Sequence, residues 1–245
     1  MKTEQRTYLH NAAEAILSLF YPRRCPVCQD IAVPRGALIC PDCRKRVSFI
    51  EEPTCRRCGK EVLYSDMEYC FDCTRFPRSF DGGVSLMHYD AVGRASMQGF
   101  KYHGRQEYAA WYAEALLERY GDWIRTRGAD ALVPVPVHAS RLRRRGYNQA
   151  EVLARELSRR TGIPVWRDVL VRTRRTAAQK NLGGGERQKN LLAAMKAGAL
   201  PKDAPGVFLV DDIYTTGSTA EACTRALKRA GAAHVWLITV CIGRN

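Results

Sequence analysis

Three absences narrow the reading at the outset. No stretch of the chain approaches the roughly 18 consecutive apolar residues that a membrane-spanning helix needs, so no span is expected. No G-x-x-x-x-G-K-[ST] occurs anywhere, which disfavours an ATP-driven motor. The opening MKTEQRTYLHNAAEAILSLFYPRRC lacks a clean apolar run, because Glu4, Arg6, His10 and Glu14 interrupt it, and it has no small-x-small cleavage site. An export signal is therefore not expected, and the expected compartment is the reducing cytoplasm. Acidic residues are also scarce, 25 against 39 Lys+Arg, for a net charge of +14. That surplus favours anionic partners: phosphates, nucleic acid or a membrane surface.

What the chain has in abundance is cysteine. Eight of its ten cysteines form four C-x-x-C pairs, Cys25/Cys28, Cys40/Cys43, Cys55/Cys58 and Cys70/Cys73, each starting 15 residues after the one before. A C-x-x-C turn sets two thiolates on one side of a tight knuckle, and two facing knuckles complete a tetrahedral zinc site. The spacing predicts two four-cysteine sites with no open coordination position, so the two zinc ions are structural. Disulfide or redox use is the alternative, but thioredoxin-like motifs come singly on a βαβ unit, which this region lacks. Sequential pairing of the knuckles is preferred, and a cross-braced arrangement uses the same ligands. Two zinc ions on eight thiolates lower the net charge to +10, still basic. Cys223 and Cys241 sit in apolar periodic segments and read as small buried hydrophobes. Ahead of the knuckles, Leu9, Ala12, Ala13, Ile16, Leu17 and Phe20 mark one face of an amphipathic helix. It docks on the protein's own core, or on a membrane surface or partner.

Beyond Phe80 the texture changes to alternating strand and helix patterns. Gly82–Met87, Ala131–Val137, Val207–Val210 and His234–Ile242 read as strands, with the prolines of ALVPVPV placing the second at an edge or at a strand-to-loop transition. Helical faces appear over Ala109–Tyr120, Ala150–Leu157 and Ala222–Ala230. The expected fold class is α/β, a mainly parallel sheet flanked by helices, with an N-terminal Cys-rich double zinc ribbon. The expected division is residues 1–79 for the helix and ribbons and 80–245 for the α/β domain.

The segment VFLVDDIYTTGSTAEA carries the most chemistry. An apolar strand ends in Asp211 and Asp212, then Tyr214, Thr215, Thr216, Gly217, Ser218 and Thr219 lead into a helix. Strand ends that meet helix N-termini are where α/β sheets bind ligands. The turn offers backbone N–H groups, a helix dipole and four hydroxyls, which suit a phosphate. Two carboxylates would repel that phosphate unless they faced hydroxyl groups, so the local chemistry asks for a ribose 5-phosphate. Basic residues concentrate over 141–196, with 15 Lys+Arg against 4 Asp+Glu, and read either as solvated surface or as an anion site.

The Asp-Asp loop resembles the phosphoribosyl-diphosphate loop of type I phosphoribosyltransferases. The order of segments, four knuckles, FKYHGR, VPVPVHASRLRRRGYNQAE, RTRRTAAQKNLGGGERQKNL and then that loop, resembles the ComF family of competence-associated proteins and their DNA-utilisation relatives. The resemblance implies a type I phosphoribosyltransferase fold with the ribbons in place of its variable hood. It also implies phosphoribosyl diphosphate and Mg²⁺ as ligands, and partners in DNA uptake, with single-stranded DNA among them. Asp211 and Asp212 would hold ribose hydroxyls, directly or through Mg²⁺, and Tyr214 through Thr219 the 5-phosphate. Val137 and His138 would form the diphosphate loop, which works through backbone N–H groups. Arg141, Arg143, Arg144 and Arg145 would neutralise diphosphate or DNA phosphate, or stay solvated. Lys101 is a further ligand candidate. Arg172–Asn190 reads as a catalytic lid or a plain surface loop, with Arg172, Arg174, Arg175 and Gln179 closing over diphosphate. Position 215 is threonine where some purine-salvage members carry an acid, so no carboxylate base is expected in the loop. The rival reading is a DNA-binding accessory whose phosphoribosyl site is vestigial or regulatory.

Overall fold

The computed structural model describes residues 22–173, 194–201 and 206–244. The expected N-terminal helix and the candidates Arg174, Arg175 and Gln179 lie outside the described residues.

The cysteine segment folds as two ribbons of one design. In each, the first knuckle closes a turn by the same pair of bonds, Cys25 N to Asp30 O and Gln29 N to Cys25 O in one, Cys55 N to Lys60 O and Gly59 N to Cys55 O in the other. The second knuckle of each heads a short helix, α1 (Pro41–Lys45) and α2 (Phe71–Arg75). The structural repeat is therefore 30 residues, a turn knuckle followed by a helix knuckle, beneath the 15-residue cysteine spacing. The residue just after the turn knuckle's second cysteine adopts positive φ, in Gln29 and in Gly59. At Gly59 a side chain is barred outright, since a Cβ would meet Gly83 O at 2.6 Å. This close approach seats the second ribbon against the sheet.

The α/β part runs β1 (Gly82–His88), α3 (Ala91–Tyr102), α4 (Tyr108–Arg127), β2 (Ala131–Pro134), α5 (Ala139–Arg145), α6 (Gln149–Thr161), β3 (Leu170–Arg172), β4 (Met195–Ala197), β5 (Gly206–Tyr214), α7 (Ser218–Arg229) and β6 (His234–Ile242). The strands order β1-β6-β5-β2, all parallel, and β3 pairs antiparallel with β4 as a separate two-stranded unit. Parallel strands need cover on both faces, which explains their near-continuous apolar runs. On one face Leu86, Phe208, Val210 and Ile238 meet Met97 and Phe100 of α3, Tyr112 and Leu116 of α4, and Leu153 and Leu157 of α6. On the other face Val207, Leu209, Val235 and Leu237 meet Ala222, Cys223, Ala226 and Leu227 of α7. One twelve-residue helix cannot cover a four-stranded face. The β3–β4 unit and the second ribbon complete it, contributing Leu170, Met195, Ile50 and the buried Cys55 and Cys58. The first ribbon packs on the opposite side, where Cys25, Val27 and Val47 join the α3–α4–α6 core. The two ribbons thus straddle the sheet.

β6 spans His234–Ile242 as expected, and β2 forms an edge of the four-stranded sheet, as its prolines require. The strand expected over Val207–Val210 is longer. It runs to Tyr214, because Asp211, Ile213 and Tyr214 stay in register with Thr239, Cys241 and Ile242 of β6. The two acids therefore belong to the strand's last turns of pleat, fixed by the ladder, and not to a loop after it. Cys223 and Cys241 are fully buried. No helix among the described residues is long and apolar enough to cross a membrane.

Candidate functional site

The carboxyl ends of β2 and β5 lie side by side, with Pro134 opposite Val210 and Val135 N bonded to Val210 O at 2.9 Å. From there the chain departs to opposite faces, to α6 after β2 and to α7 after β5. Diverging connections between neighbouring parallel strands open a crevice at the sheet's carboxyl edge, the usual ligand position in such folds.

Because side chains alternate along a strand, Asp211 and Asp212 point to opposite faces. Asp211 turns toward α7. Burial pushes its carboxyl up to about 7, the neighbouring Asp212 charge pushes it the same way, and the Asp212 N–H and the positive charges of Lys101 and Arg172 act against them. Its Oδ1 accepts that Asp212 N–H at 2.8 Å. Asp212 turns toward α3, where Lys101 Nζ meets its Oδ2 at 2.8 Å, both side chains largely buried. The Lys101 of FKYHGR is thus carried to the acids by the last turn of α3.

The turn after β5 is built to expose amide groups. Gly217 takes φ +72°, and a Cβ there would collide with the Tyr214 ring and hydroxyl, so only glycine fits. No side chain among the described residues caps α7, leaving its first N–H groups facing the turn at the positive end of a twelve-residue helix. Thr216 Oγ1 and Ser218 Oγ lie 3.1 Å apart on the open side. Beneath Gly217 the Tyr214 hydroxyl is buried with no hydrogen-bond partner among the described residues, and burial holds its pKa well up, so it remains a donor. An orphan donor, free amides and two hydroxyls around one glycine suit an anion with several oxygens.

Val137 and His138 follow β2 beside this crevice. The loop is tied by Asn148 Nδ2 to Val135 O at 3.1 Å. His138 Nδ1 accepts from Ser140 N at 3.1 Å and caps α5, a helix-starting role. Arg141, Arg143, Arg144 and Arg145 all ride on α5. They do not act alike. Arg145 donates to Gln149 Oε1 at 2.9 Å and to Tyr102 Oη at 3.0 Å, and Arg144 and Arg145 both lie over the Tyr102 ring. Arg172, at the end of β3, is held in a partly buried setting. Burial first, then the nearby Arg141 charge, lowers its pKa, while Asp211 draws it back.

Sequence reasoning gave no hint of the support behind the turn. Arg78 donates to Thr216 O at 2.6 Å. Ser79 N and Oγ both donate to the Glu221 carboxylate at 2.7 Å, and Phe80 packs edge-on against Tyr214. These three residues directly succeed the second ribbon. No motif marks them, because each contact joins segments more than 130 residues apart.

The metal sites are well formed. The sulfurs of Cys25, Cys28, Cys40 and Cys43 lie within 4.8 Å of one another, as do those of Cys55, Cys58, Cys70 and Cys73. Pairing is sequential, and the cross-braced alternative is excluded. Cys58 Sγ and Cys70 Sγ stand 3.7 Å apart, close to the edge of about 3.8 Å expected for a sulfur tetrahedron around zinc. Both sets fit structural zinc, with four thiolates and no open position.

Sheet, switch-point crevice and paired metal knuckles define a parallel α/β protein preceded by a double zinc ribbon, and residues 16–74 match the family model of the double zinc ribbon domain. The chain is 31% identical to Competence protein F of Haemophilus influenzae over 86% of its own length and 93% of that protein. It is also 31% identical to DNA utilization protein YhgH of Escherichia coli K12, over 83% and 89% of the two chains. Identity to Competence protein ComFC of Bacillus subtilis is 27%, over 80% of each. The chain belongs to this ComF family of competence and DNA-utilization proteins. Among solved structures, a purine phosphoribosyltransferase from Pyrococcus horikoshii aligns over 54% of this chain and 84% of its own, with 17% identity and a TM-score of 0.33.

Proposed function

We propose that the chain binds phosphoribosyl diphosphate with Mg²⁺ at the β2–β5 crevice and acts in the uptake or use of imported DNA. The observation that carries the reading is the pairing of two strand-end carboxylates with an uncapped, hydroxyl-rich turn over an orphan Tyr214 hydroxyl. A phosphate alone would be repelled by the acids, and a diol alone leaves the amides idle. A phosphorylated ribose uses both. Asp211, Asp212 and Lys101 take the ribose side, and Thr215 through Thr219 the 5-phosphate. Val137, His138, Arg141, Arg172 and Arg175 take the diphosphate side. Mg²⁺ would sit with the acids and the diphosphate and neutralise charge on the departing group. Asp211 fits such a cation, since a positive charge beside it would offset the burial and the neighbouring Asp212 charge that raise its pKa. Transfer to an acceptor then rests on stabilising an oxocarbenium-like centre and the leaving diphosphate, with no carboxylate base in the loop. Cytoplasmic residence follows from that role.

Calorimetric titration with phosphoribosyl diphosphate and Mg²⁺ tests the reading. Binding tighter than about 1 mM, roughly −4 kcal/mol, is expected, and weaker binding removes it. A second reading, single-stranded DNA binding, is favoured by the basic balance and by the relatives' names. Affinity for an oligonucleotide that falls steeply with salt, unchanged by Asp211→Asn/Asp212→Asn, would support it as a separate activity.

A further inference from the structure

The outer side of the second ribbon carries aromatic rings that the core does not use. Phe71 is 65% exposed, Phe76 50% and Tyr69 38%, all within eight residues. Large apolar side chains gathered this closely in the open point to an interaction surface. Every one of these rings is matched with a guanidinium. Arg57 lies 5.8 Å from the Tyr69 centroid, Arg75 lies 6.0 Å from Phe71 and 5.4 Å from Phe76, and Arg78 lies 6.0 Å from Phe76. The single acid of this stretch is already neutralised, because Asp72 is paired at 2.7 Å with the buried Lys60. What remains exposed is therefore aromatic and positive.

The first ribbon, built to the same design, has no exposed ring among its described residues, and its Phe49, beneath Arg44, packs against the core. Positions 41 and 46, the counterparts of Phe71 and Phe76, are Pro and Arg. The zinc knuckle does not require the rings, so they are a property of this ribbon alone. The row also has a direction. Arg78, at its end, donates to Thr216 O of the turn after β5, so the aromatic face leads to the mouth of the candidate site.

We infer that the Phe71–Arg75–Phe76–Arg78 face of the second ribbon is a binding surface for single-stranded DNA, on which the rings stack bases and the arginines meet phosphates. Sequence-tolerant single-strand surfaces combine these two elements, rings because every base has a π-face and cations because the backbone is a chain of charges. Duplex DNA offers no unstacked base to the rings. A membrane surface would use the same cations but would take any apolar side chain in place of the rings. The inference rests on the DNA-binding reading above and moves its principal contact from the α5 arginines to the ribbon.

The test uses the full two-zinc chain and a fluorescein-labelled oligomer of about 20 deoxythymidines, longer than the site of roughly 4–16 nucleotides typical of one small single-strand module. Anisotropy is read at two salt concentrations, with zinc content measured on each variant. Phe71→Leu/Phe76→Leu keeps the apolar surface and removes the π-faces. It is expected to weaken binding at least tenfold with an unchanged salt slope, since stacking is not counterion release. Arg75→Ala is expected to flatten the log–log salt slope by about 0.7, the value for one phosphate contact on a single strand. Binding of the leucine variant within twofold of wild type, with wild type binding well, overturns the inference and leaves the DNA reading standing. Absence of wild-type binding removes both. Loss of binding to anionic phosphatidylserine vesicles by Phe71→Ala/Phe76→Ala, regained in the leucine variant while DNA binding is indifferent to both, overturns it in favour of a membrane face.

Discussion

The two ribbons share a ligand set, a turn and a short helix, yet they do different work. The first packs against α4 through Cys25, Val27 and the Arg44–Glu118 ion pair, with Cys28 and Cys40 partly open to solvent. The second has all four cysteines buried, covers the face that α7 cannot cover alone, and passes directly into Arg78, Ser79 and Phe80 behind the turn after β5. A duplicated metal module has thus kept its internal geometry while its surroundings diverged. One copy buttresses the helical layer and the other supports the candidate site.

Breaking each ribbon separately is the strongest test of that contrast. Structural zinc contributes on the order of 10 kcal/mol to a small knuckle fold, so Cys28→Ser or Cys58→Ser should each lower the metal content from two zinc ions to one. Only Cys58→Ser should also reduce affinity for phosphoribosyl diphosphate, by tenfold or more, with Cys28→Ser within about threefold of wild type. Equal losses in the two variants would mean that the ribbons act as one unit.

Glu221 sharpens the comparison at a single residue. Its side chain is buried, and burial acts to raise its pKa, but the bonds from Ser79 N, Ser79 Oγ and Arg225 prevail and hold it below the usual glutamate value. Glu221→Ala leaves the Ser79 N–H unpaired and should cost about 2 kcal/mol in urea unfolding. A depressed carboxylate contributes stability above its unfolded pKa and loses it as pH falls through the folded value. The difference between wild type and Glu221→Ala should therefore shrink on acidification below about pH 4.

Asp211 behaves in the opposite sense. With its pKa near 7, the folded chain retains a proton that the unfolded chain has lost from about pH 4 upward, so this group's contribution to stability falls as pH rises from about 4 to 7 and then levels. A ligand that needs the ionised carboxylate gains where the fold loses. Affinity for phosphoribosyl diphosphate with Mg²⁺ should rise about tenfold between pH 6 and pH 8, and Asp211→Asn should flatten that profile at a low level. A smaller effect is expected from Arg78→Ala, which removes one bond to the Thr216 carbonyl. It should weaken the same ligand about fivefold while leaving both zinc ions bound.

Much of this architecture was legible because it is written in contiguous residues. The four knuckles announce both metal sites, and His234–Ile242 reads as a strand to the residue, since it is apolar nearly throughout. Asp211, Asp212 and the hydroxyl turn stand together in one segment, so their chemistry could be argued before their position was known. The reading shortened β5, because two acids look like a strand's end unless the register with Thr239 and Cys241 of β6 is in view. The three-residue strands β3 and β4 are too short to show a period. Strand order, the Lys101–Asp212 pair and the Arg78–Thr216 and Ser79–Glu221 bonds depend on distant segments meeting, which no local pattern encodes. The 15-residue cysteine spacing even conceals the true repeat, since the knuckles alternate between closing a turn and heading a helix.

Matched calorimetric titrations of wild type and Asp211→Asn/Asp212→Asn with phosphoribosyl diphosphate and Mg²⁺ at pH 8 address the central claim most directly. The account predicts saturable binding tighter than about 1 mM for wild type, and none in that range for the double variant with both zinc ions retained. Equal affinity in the two proteins would contradict it, because the strand-end carboxylates would then have no part in holding the sugar.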